Sequence, residues 1–330
     1  MLKILLTHTP AARAAYYGER ALAELGKLGD LRLHDGGDPL DPPALIAAAA
    51  GVDIVVSDRM TAAPAQVFEA LPALKAYLRC AVDIRNIDVA AASRAGVLVT
   101  RATPGFAPAV SELAVGLMVD LARGTSRMAA AYHAGRDPEI AIGRQISGST
   151  AGIIGFGSIG RHLAPVLAAM GMTVLVADPL ATVDDGRFRQ VSFVDLLTGA
   201  DFVFCLAPAT AETENLMDAP AFARMKRDAF FINLSRGNLV DEAALEAALK
   251  SGGIAGAAMD VGRAPDQMPN PALAALPTVV ATPHIGGLTP QAIERQAFDT
   301  VAQAAALAAG RIPPHAVNAA DWTRRIAPAG

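Results

Sequence analysis

Three glycines, Gly155, Gly157 and Gly160, stand in G-x-G-x-x-G spacing in the run Ala151-Gly-Ile-Ile-Gly-Phe-Gly-Ser-Ile-Gly160. An apolar stretch, Gly152 to Ile154, leads in, and a helical pattern, Arg161 to Met170, leads out. A second apolar stretch, Thr173 to Ala177, ends at Asp178. Each part suits the binding of a dinucleotide. Gly155 permits the tight turn, Gly157 lets the backbone approach a pyrophosphate, and Gly160 lets the helix pack close to the sheet. The N–H groups at the helix start and the helix dipole then attract phosphate. The same glycine spacing also occurs in ordinary strand-to-helix turns. It is strand, helix, second strand and terminal acid together that favour a ligand. Asp178 also selects between dinucleotides. A carboxylate accepts from a ribose 2′-hydroxyl and repels a 2′-phosphate, and Pro179 and Leu180 follow it rather than an Arg. The expected cofactor is NAD rather than NADP.

Two further residues have types and places suited to chemistry on a small acid. Arg236, in Asn233-Leu-Ser-Arg236-Gly237, follows the apolar run Ala229 to Ile232. An Arg at the carboxyl end of a strand points to the crevice where ligands bind in open α/β sheets, and a guanidinium grips a carboxylate by two hydrogen bonds. The bland reading is a surface Arg. His284, in Pro283-His284-Ile-Gly-Gly287, follows the run Thr278 to Ala281. Most single histidines are structural, but this one ends a strand level with Arg236 and suits general acid/base work. Asp260 ends the run Ile254 to Met259 on the same edge, suited either to accept from a nicotinamide carboxamide or to cap the next turn. Asp83, Arg85 and Asn86, after the strand ending at Cys80, and Arg59, after the strand ending at Ser57, are expected to face the same crevice from the other domain.

The elements that must position these residues alternate. Strands are expected at Leu2 to Leu6, Leu31 to His34, Ile54 to Ser57, Leu74 to Cys80 and Val97 to Thr100. Helices are expected at Ala12 to Leu28, Pro43 to Ala49, Pro64 to Ala70 and Val89 to Ala95. Pro104-Gly105 breaks the pattern before a long helix, Val110 to Leu121, and a second, Ser126 to Ala134. Beyond Asp178, strands are expected at Phe202 to Leu206, Ala229 to Leu234, Ile254 to Met259 and Thr278 to Ala281, with helices at Asp241 to Lys250 and Pro290 to Ala309. Alternation of this kind gives α/β architecture with two doubly wound parallel sheets.

Composition bounds the rest. The 330 residues suffice for two domains, and no apolar run reaches the roughly 18 residues of a membrane span. The first residues read as a strand rather than a signal peptide, so a cytoplasmic location is expected. Cys80 and Cys205 read as two buried thiols, and no Cys/His cluster suggests a metal. A net charge of −4 without a basic stripe argues against nucleic acid as a partner.

These residues resemble the NAD-dependent D-isomer-specific 2-hydroxyacid dehydrogenases. The resemblance runs through Asn86-Ile-Asp88, Thr103-Pro-Gly105, Ser111-Glu112, Gly152 to Gly160, Pro208 with Thr213, Met225-Lys226, Asn233 to Gly237, Ala257 to Val261 and Pro283 to Gly286. It implies a Rossmann nucleotide domain (102–288) inserted in a flavodoxin-like substrate domain (1–101 and 289–330), and a homodimer formed through the helix Val110 to Leu121. By resemblance, His284 takes the 2-hydroxyl proton and Arg236 holds the substrate carboxylate. Arg59 and the backbone N–H groups near Val82 and Asp83 also meet the substrate. Ser158 and Ile159 lie on the pyrophosphate, Asp260 holds the nicotinamide amide, and Pro208, Thr213 and Gly286 line the cofactor.

Two departures stand out. Where the family places a Glu to pair with the catalytic His, this chain has Pro265, and Asp266 follows one step later; Asp266 takes the role if the loop shifts by one residue. At the carboxylate clamp, Val-Gly of the family is Val82-Asp83 here, so Asp83 must turn away or pair with Arg85 or Arg59. The displaced acid also leaves a reading from another class: a non-enzymatic, NAD-sensing protein like the corepressors built on this fold.

Overall fold

The computed structural model describes residues 2–264 and 267–326. The chain divides into two compact units, Met1–Gly105 with Pro290–Gly330, and Phe106–Thr289.

Unit 1 is a five-stranded parallel sheet of β1 (Leu2–Leu6), β2 (Gly29–Leu33), β3 (Ile54–Ser57), β4 (Ala76–Arg79) and β5 (Leu98–Thr100), in the order β2-β1-β3-β4-β5. That is the flavodoxin-like order, with its switch point between β1 and β3. Side chains alternate along the strands, so Ile4, Leu6, Ile54 and Val56 feed one core while Leu5, Val55, Tyr77 and Val99 feed the other. The helix Pro290–Ala308 closes the first core with Ala297, Ala304 and Leu307. Complete burial of a side chain such as Leu307 stabilises by about 2 kcal/mol. Beyond it, Asn318 accepts from the Val99 N–H at 2.8 Å and donates to the Val97 carbonyl at 2.9 Å, which stitches the C-terminal segment to β5.

Unit 2 is a seven-stranded parallel sheet of β6 (Thr150–Ile154), β7 (Thr173–Ala177), β8 (Phe188–Gln190), β9 (Phe202–Cys205), β10 (Phe230–Asn233), β11 (Gly256–Met259) and β12 (Val279–Ala281), in the order β12-β11-β10-β9-β6-β7-β8. Counted from β6 this is the Rossmann order 3-2-1-4-5-6 with one strand added, and the order reverses between β6 and β9.

Several boundaries differ from the sequence expectation. The single helix expected over Ala12 to Leu28 is two, Pro10–Tyr16 and Glu19–Gly26, because Gly18 between them takes φ +84°. The long helix after Gly105 is extended at both ends, Ala107–Arg123, and stops at Gly124 in the left-handed conformation. The short strand β8 and the helices Phe193–Gly199, Ala219–Arg224 and Pro271–Ala274 had no counterpart in the sequence reading. Both cysteines are buried free thiols. Among the described residues no helix is long and apolar enough to cross a membrane, and no group of His, Cys, Asp and Glu could hold a metal.

Candidate active site

The register of unit 2 brings the expected residues of its sheet to one edge. Ile154 pairs with Cys205, Cys205 with Asn233, Asn233 with Met259, and Met259 with Ala281. Five neighbouring strand ends therefore lie level. The glycine turn leaves the sheet from this row, as do the Arg236 loop, Asp260 and the His284 turn.

The three glycines have different surroundings. Gly155 takes φ +93°, and a methyl group there would lie 2.6 Å from the Ala207 backbone. One at Gly160 would lie 2.5 Å from the Gly155 carbonyl oxygen, so the helix Ser158–Ala169 sits directly on the turn. One at Gly157 would meet nothing within 4 Å. No side chain caps this helix, so its first-turn N–H groups face the space above exposed Gly157 and Ser158.

Asp178 leaves β7 with its carboxylate already fixed. Oδ2 accepts from the Phe156 N–H at 2.7 Å, and Oδ1 accepts from Leu180 at 2.8 Å and Ala181 at 2.9 Å. Partial burial opposes ionisation, but these bonds and the nearby Arg161 guanidinium outweigh it and hold the carboxyl below its usual range. A carboxylate offers about four acceptor positions, so one remains on Oδ2 for a ribose hydroxyl. Thr213 turns inward: its hydroxyl donates to the Pro208 carbonyl at 2.7 Å and accepts from the Thr210 N–H at 2.8 Å, bracing that loop.

Asp260 is 2 % exposed and serves the His284 turn. Its Oδ1 accepts from the Thr282 hydroxyl at 2.7 Å and the Ile285 N–H at 2.8 Å, and Oδ2 accepts from the Gly286 N–H at 2.8 Å. Of the two roles expected for Asp260, holding the turn is the one visible in these bonds. His284 itself takes φ +55°, a conformation uncommon for a residue with a side chain. The buried carboxylate beneath it helps fix that turn.

Arg236 is half-buried, and Nη1 donates to the Ser235 carbonyl at 2.7 Å. Asn233 holds its loop from below, accepting from the Ser235 N–H and donating to the Arg236 carbonyl, both at 3.1 Å. Neither Asn233 nor Thr282 was singled out for its role from sequence. A polar residue at the last strand position, as Asn233 is, was the available signal.

In unit 1, Asp83 forms a fork-to-fork pair with Arg85, Nε to Oδ1 at 3.0 Å and Nη2 to Oδ2 at 2.7 Å. Pairing with Arg85 is one of the alternatives that its position called for. Val82 is half-buried, and Arg59 is exposed with its carbonyl accepting from Asn86 Nδ2 at 3.0 Å. Asp266 and Pro265 lie outside the described residues.

Residues 115–286 match the family described as D-isomer specific 2-hydroxyacid dehydrogenase, NAD binding domain. The chain belongs to this family. It is 35 % identical over 306 residues to a D-3-phosphoglycerate dehydrogenase of Mycobacterium leprae, covering 91 % of this chain and 57 % of that relative. The chain thus spans little more than half the length of that relative. It is 33 % identical over 265 residues to a hydroxypyruvate reductase of Thermotoga maritima, covering 79 % of this chain and 87 % of the relative. Among solved structures, the TT0316 protein of Thermus thermophilus superposes with a TM-score of 0.86 at 30 % identity, covering 96 % of this chain and all of that one. NAD is the family's cofactor, and the residues present fit it: an open cradle at Gly157, an uncapped helix start and an oriented Asp178.

The glycine geometry separates binding from folding. Gly157→Ala is expected to unfold at the wild-type temperature and to weaken NADH binding more than about tenfold, because its methyl group enters the cradle only. Gly155→Ala meets backbone at positive φ and is expected to lose more than about 2 kcal/mol of stability. NADH fluorescence titration beside thermal unfolding of both variants checks the pair. Equal NADH affinity in Gly157→Ala would remove the cradle.

Proposed function

We propose that this protein transfers a hydride between NAD(H) and a D-2-hydroxyacid/2-oxoacid pair. The common row of strand ends in unit 2 carries this reading, because it sets the glycine turn, Arg236, Asp260 and His284 on one sheet edge. Bound NAD supplies the hydride acceptor or donor at its nicotinamide.

The protein's own part is orientation and a proton. In the oxidative direction neutral His284 accepts the proton of the substrate 2-hydroxyl as C2 becomes a carbonyl, and in the reductive direction the imidazolium returns it. Arg236 grips the carboxylate and draws electron density from the 2-oxo oxygen. Val82 and Asp83 contribute backbone N–H groups to the carboxylate, and Arg59 contributes positive charge. Pairing with Arg85 offsets the charge that Asp83 would otherwise set against an anionic substrate. Asp260 keeps one acceptor position for a nicotinamide amide while holding the His284 turn, and Asp266 is assigned as the carboxylate partner of His284. Asp178 takes the ribose hydroxyl, Ser158 and Ile159 the pyrophosphate, and Pro208, Thr213 and Gly286 shape the cofactor wall.

The reading extends to a cytoplasmic homodimer. Tyr132, Ile140 and Ile142 are 66 %, 95 % and 104 % exposed, side chains that a second copy would cover. Sedimentation of the purified chain tests that part.

Oxidation of NADH, with NADPH in parallel, over glyoxylate, hydroxypyruvate, phosphohydroxypyruvate, pyruvate, phenylpyruvate and branched 2-oxoacids tests the activity. Turnover with NADH well above NADPH is expected with at least one of them. NADH binding without turnover on any acid would overturn the enzymatic assignment.

A further inference from the structure

Arg263 follows Gly262 at the exit of β11 and ties three loops of unit 2 together. Its Nε donates to the Val240 carbonyl at 3.0 Å, and Nη1 donates to Glu214 Oε1 at 2.8 Å. Its Nη2 donates to the Asn238 carbonyl at 3.0 Å and also to Asn215 Oδ1. The Arg263 N–H donates to Glu242 Oε1 at 3.2 Å. Glu214 also accepts from Asn238 Nδ2 at 3.2 Å, which closes the network.

Each of the three tied segments carries a residue of the assigned site. The first, 208–215, bears Pro208 and Thr213. The second, 236–242, bears Arg236. The third, 260–264, bears Asp260. The second and third are in direct backbone contact, since a methyl group at Gly237 would lie 2.0 Å from the Gly262 carbonyl carbon. Asn215 holds φ +53° with its side-chain oxygen on Arg263. The Arg263 side chain is one-third exposed, so the charge attraction to Glu214 is screened by solvent and contributes little by itself. What the residue supplies is a rigid planar fork that reaches several acceptors from one centre. A lysine ammonium on a flexible stem cannot reproduce this.

We propose that Arg263 is a positioning residue for the reaction assigned above, and the inference rests on that assignment. It sets the register of the turn after Arg236 against the cofactor-side loop and the exit of β11. A displacement of the Arg236 guanidinium by about 1 Å costs of order a hundredfold in rate, although Arg263 itself meets no reacting atom.

The test uses the full chain as Arg263→Ala and Arg263→Lys, with oxoacid turnover, NADH titration, thermal unfolding and hydrogen–deuterium exchange. Arg263→Ala is expected to lower kcat/KM by about tenfold to a hundredfold with NADH affinity little changed. Exchange should rise jointly in 208–217 and 236–242, and Arg263→Lys should fall between wild type and Ala. Unchanged kcat/KM overturns the inference. So does exchange that rises throughout unit 2 in step with a lower unfolding temperature, which would mark a role in folding alone. If the wild type turns over no oxoacid, the assigned reaction fails. The exchange pattern then still decides the positioning role: joint loosening of the two loops supports it, and loosening confined to 260–264 removes it.

Discussion

His284→Asn is expected to lower turnover by about a thousandfold while NADH binds as it does to the wild type. Asn is the informative replacement because His284 sits at φ +55°, where Asn is among the better tolerated residues and Ala is strained. The turn keeps the support of Asp260, which accepts from the Thr282 hydroxyl and from the backbone N–H groups of Ile285 and Gly286. The amide, unlike an imidazole, carries no proton on and off near neutral pH. Loss of turnover with retained NADH affinity thus isolates proton transfer from cofactor binding. Stopped-flow turnover and fluorescence titration on one preparation give both numbers. Turnover within threefold of wild type would remove His284 from the chemistry and return it to the structural majority of histidines. The sensing alternative predicts a different pattern: a wild type that binds NADH, reduces no oxoacid, and changes little on this substitution.

Much of this site was readable because strand ends are marked in the sequence. Apolar runs such as Thr173 to Ala177 and Ala229 to Ile232 stop at a polar residue, and in a parallel sheet whatever follows lies on the carboxyl edge. Arg236, Asp260 and His284 were read onto that edge in this way, and it is where their strands end. Thr282 and Arg263 were not found by that route, because their partners are distant in sequence: Thr282 donates to Asp260, and Arg263 reaches residues 214, 215, 238, 240 and 242. No local pattern announces such bonds.

The missed elements divide into two kinds. The helices had signals. Ser192 accepts from the Asp195 N–H and Asp218 from the Ala221 N–H, and Asn270 accepts from Ala272 just before Pro271; these are cap residues with acid or proline in the first turn. They were passed over because each helix is too short for its apolar period to stand out. The strand β8 had no such signal. Its residues Phe188, Arg189 and Gln190 include one buried side chain, and the segment is a strand only because the edge of β7 is there to pair with it. Gly18 belongs with β8: the residues on either side of it are helical in pattern, and the break comes from its positive φ.

The second large effect concerns His8, which no motif marked. It follows β1 in unit 1 and is 1 % exposed, with the Tyr17 ring set edge-on at 5.2 Å. Its Nδ1 is buried without a hydrogen-bond partner. Burial pushes the imidazole from 6.5 down to about 4; the Asp58 carboxylate pulls the other way, while Arg79 and Arg13 reinforce the burial. Because the folded value is depressed, the unfolded chain binds the proton first as pH falls. The stability linked to neutral His8 is therefore complete above the unfolded pKa near 6.5 and is lost progressively down to about 4. By pH 5 that loss amounts to about 2 kcal/mol, some thirtyfold in the folding equilibrium of unit 1. Trp322, the single tryptophan of the chain, is buried in the same core as Tyr17 and reports on unit 1 by fluorescence. Urea unfolding followed at Trp322 should show wild type losing about 2 kcal/mol more than His8→Leu between pH 7.5 and pH 5. The apolar replacement has no proton to gain and leaves no buried ring nitrogen unpaired. Equal losses in the two proteins would mean that His8 titrates outside this window, and that the acid sensitivity of unit 1 arises from its carboxylates.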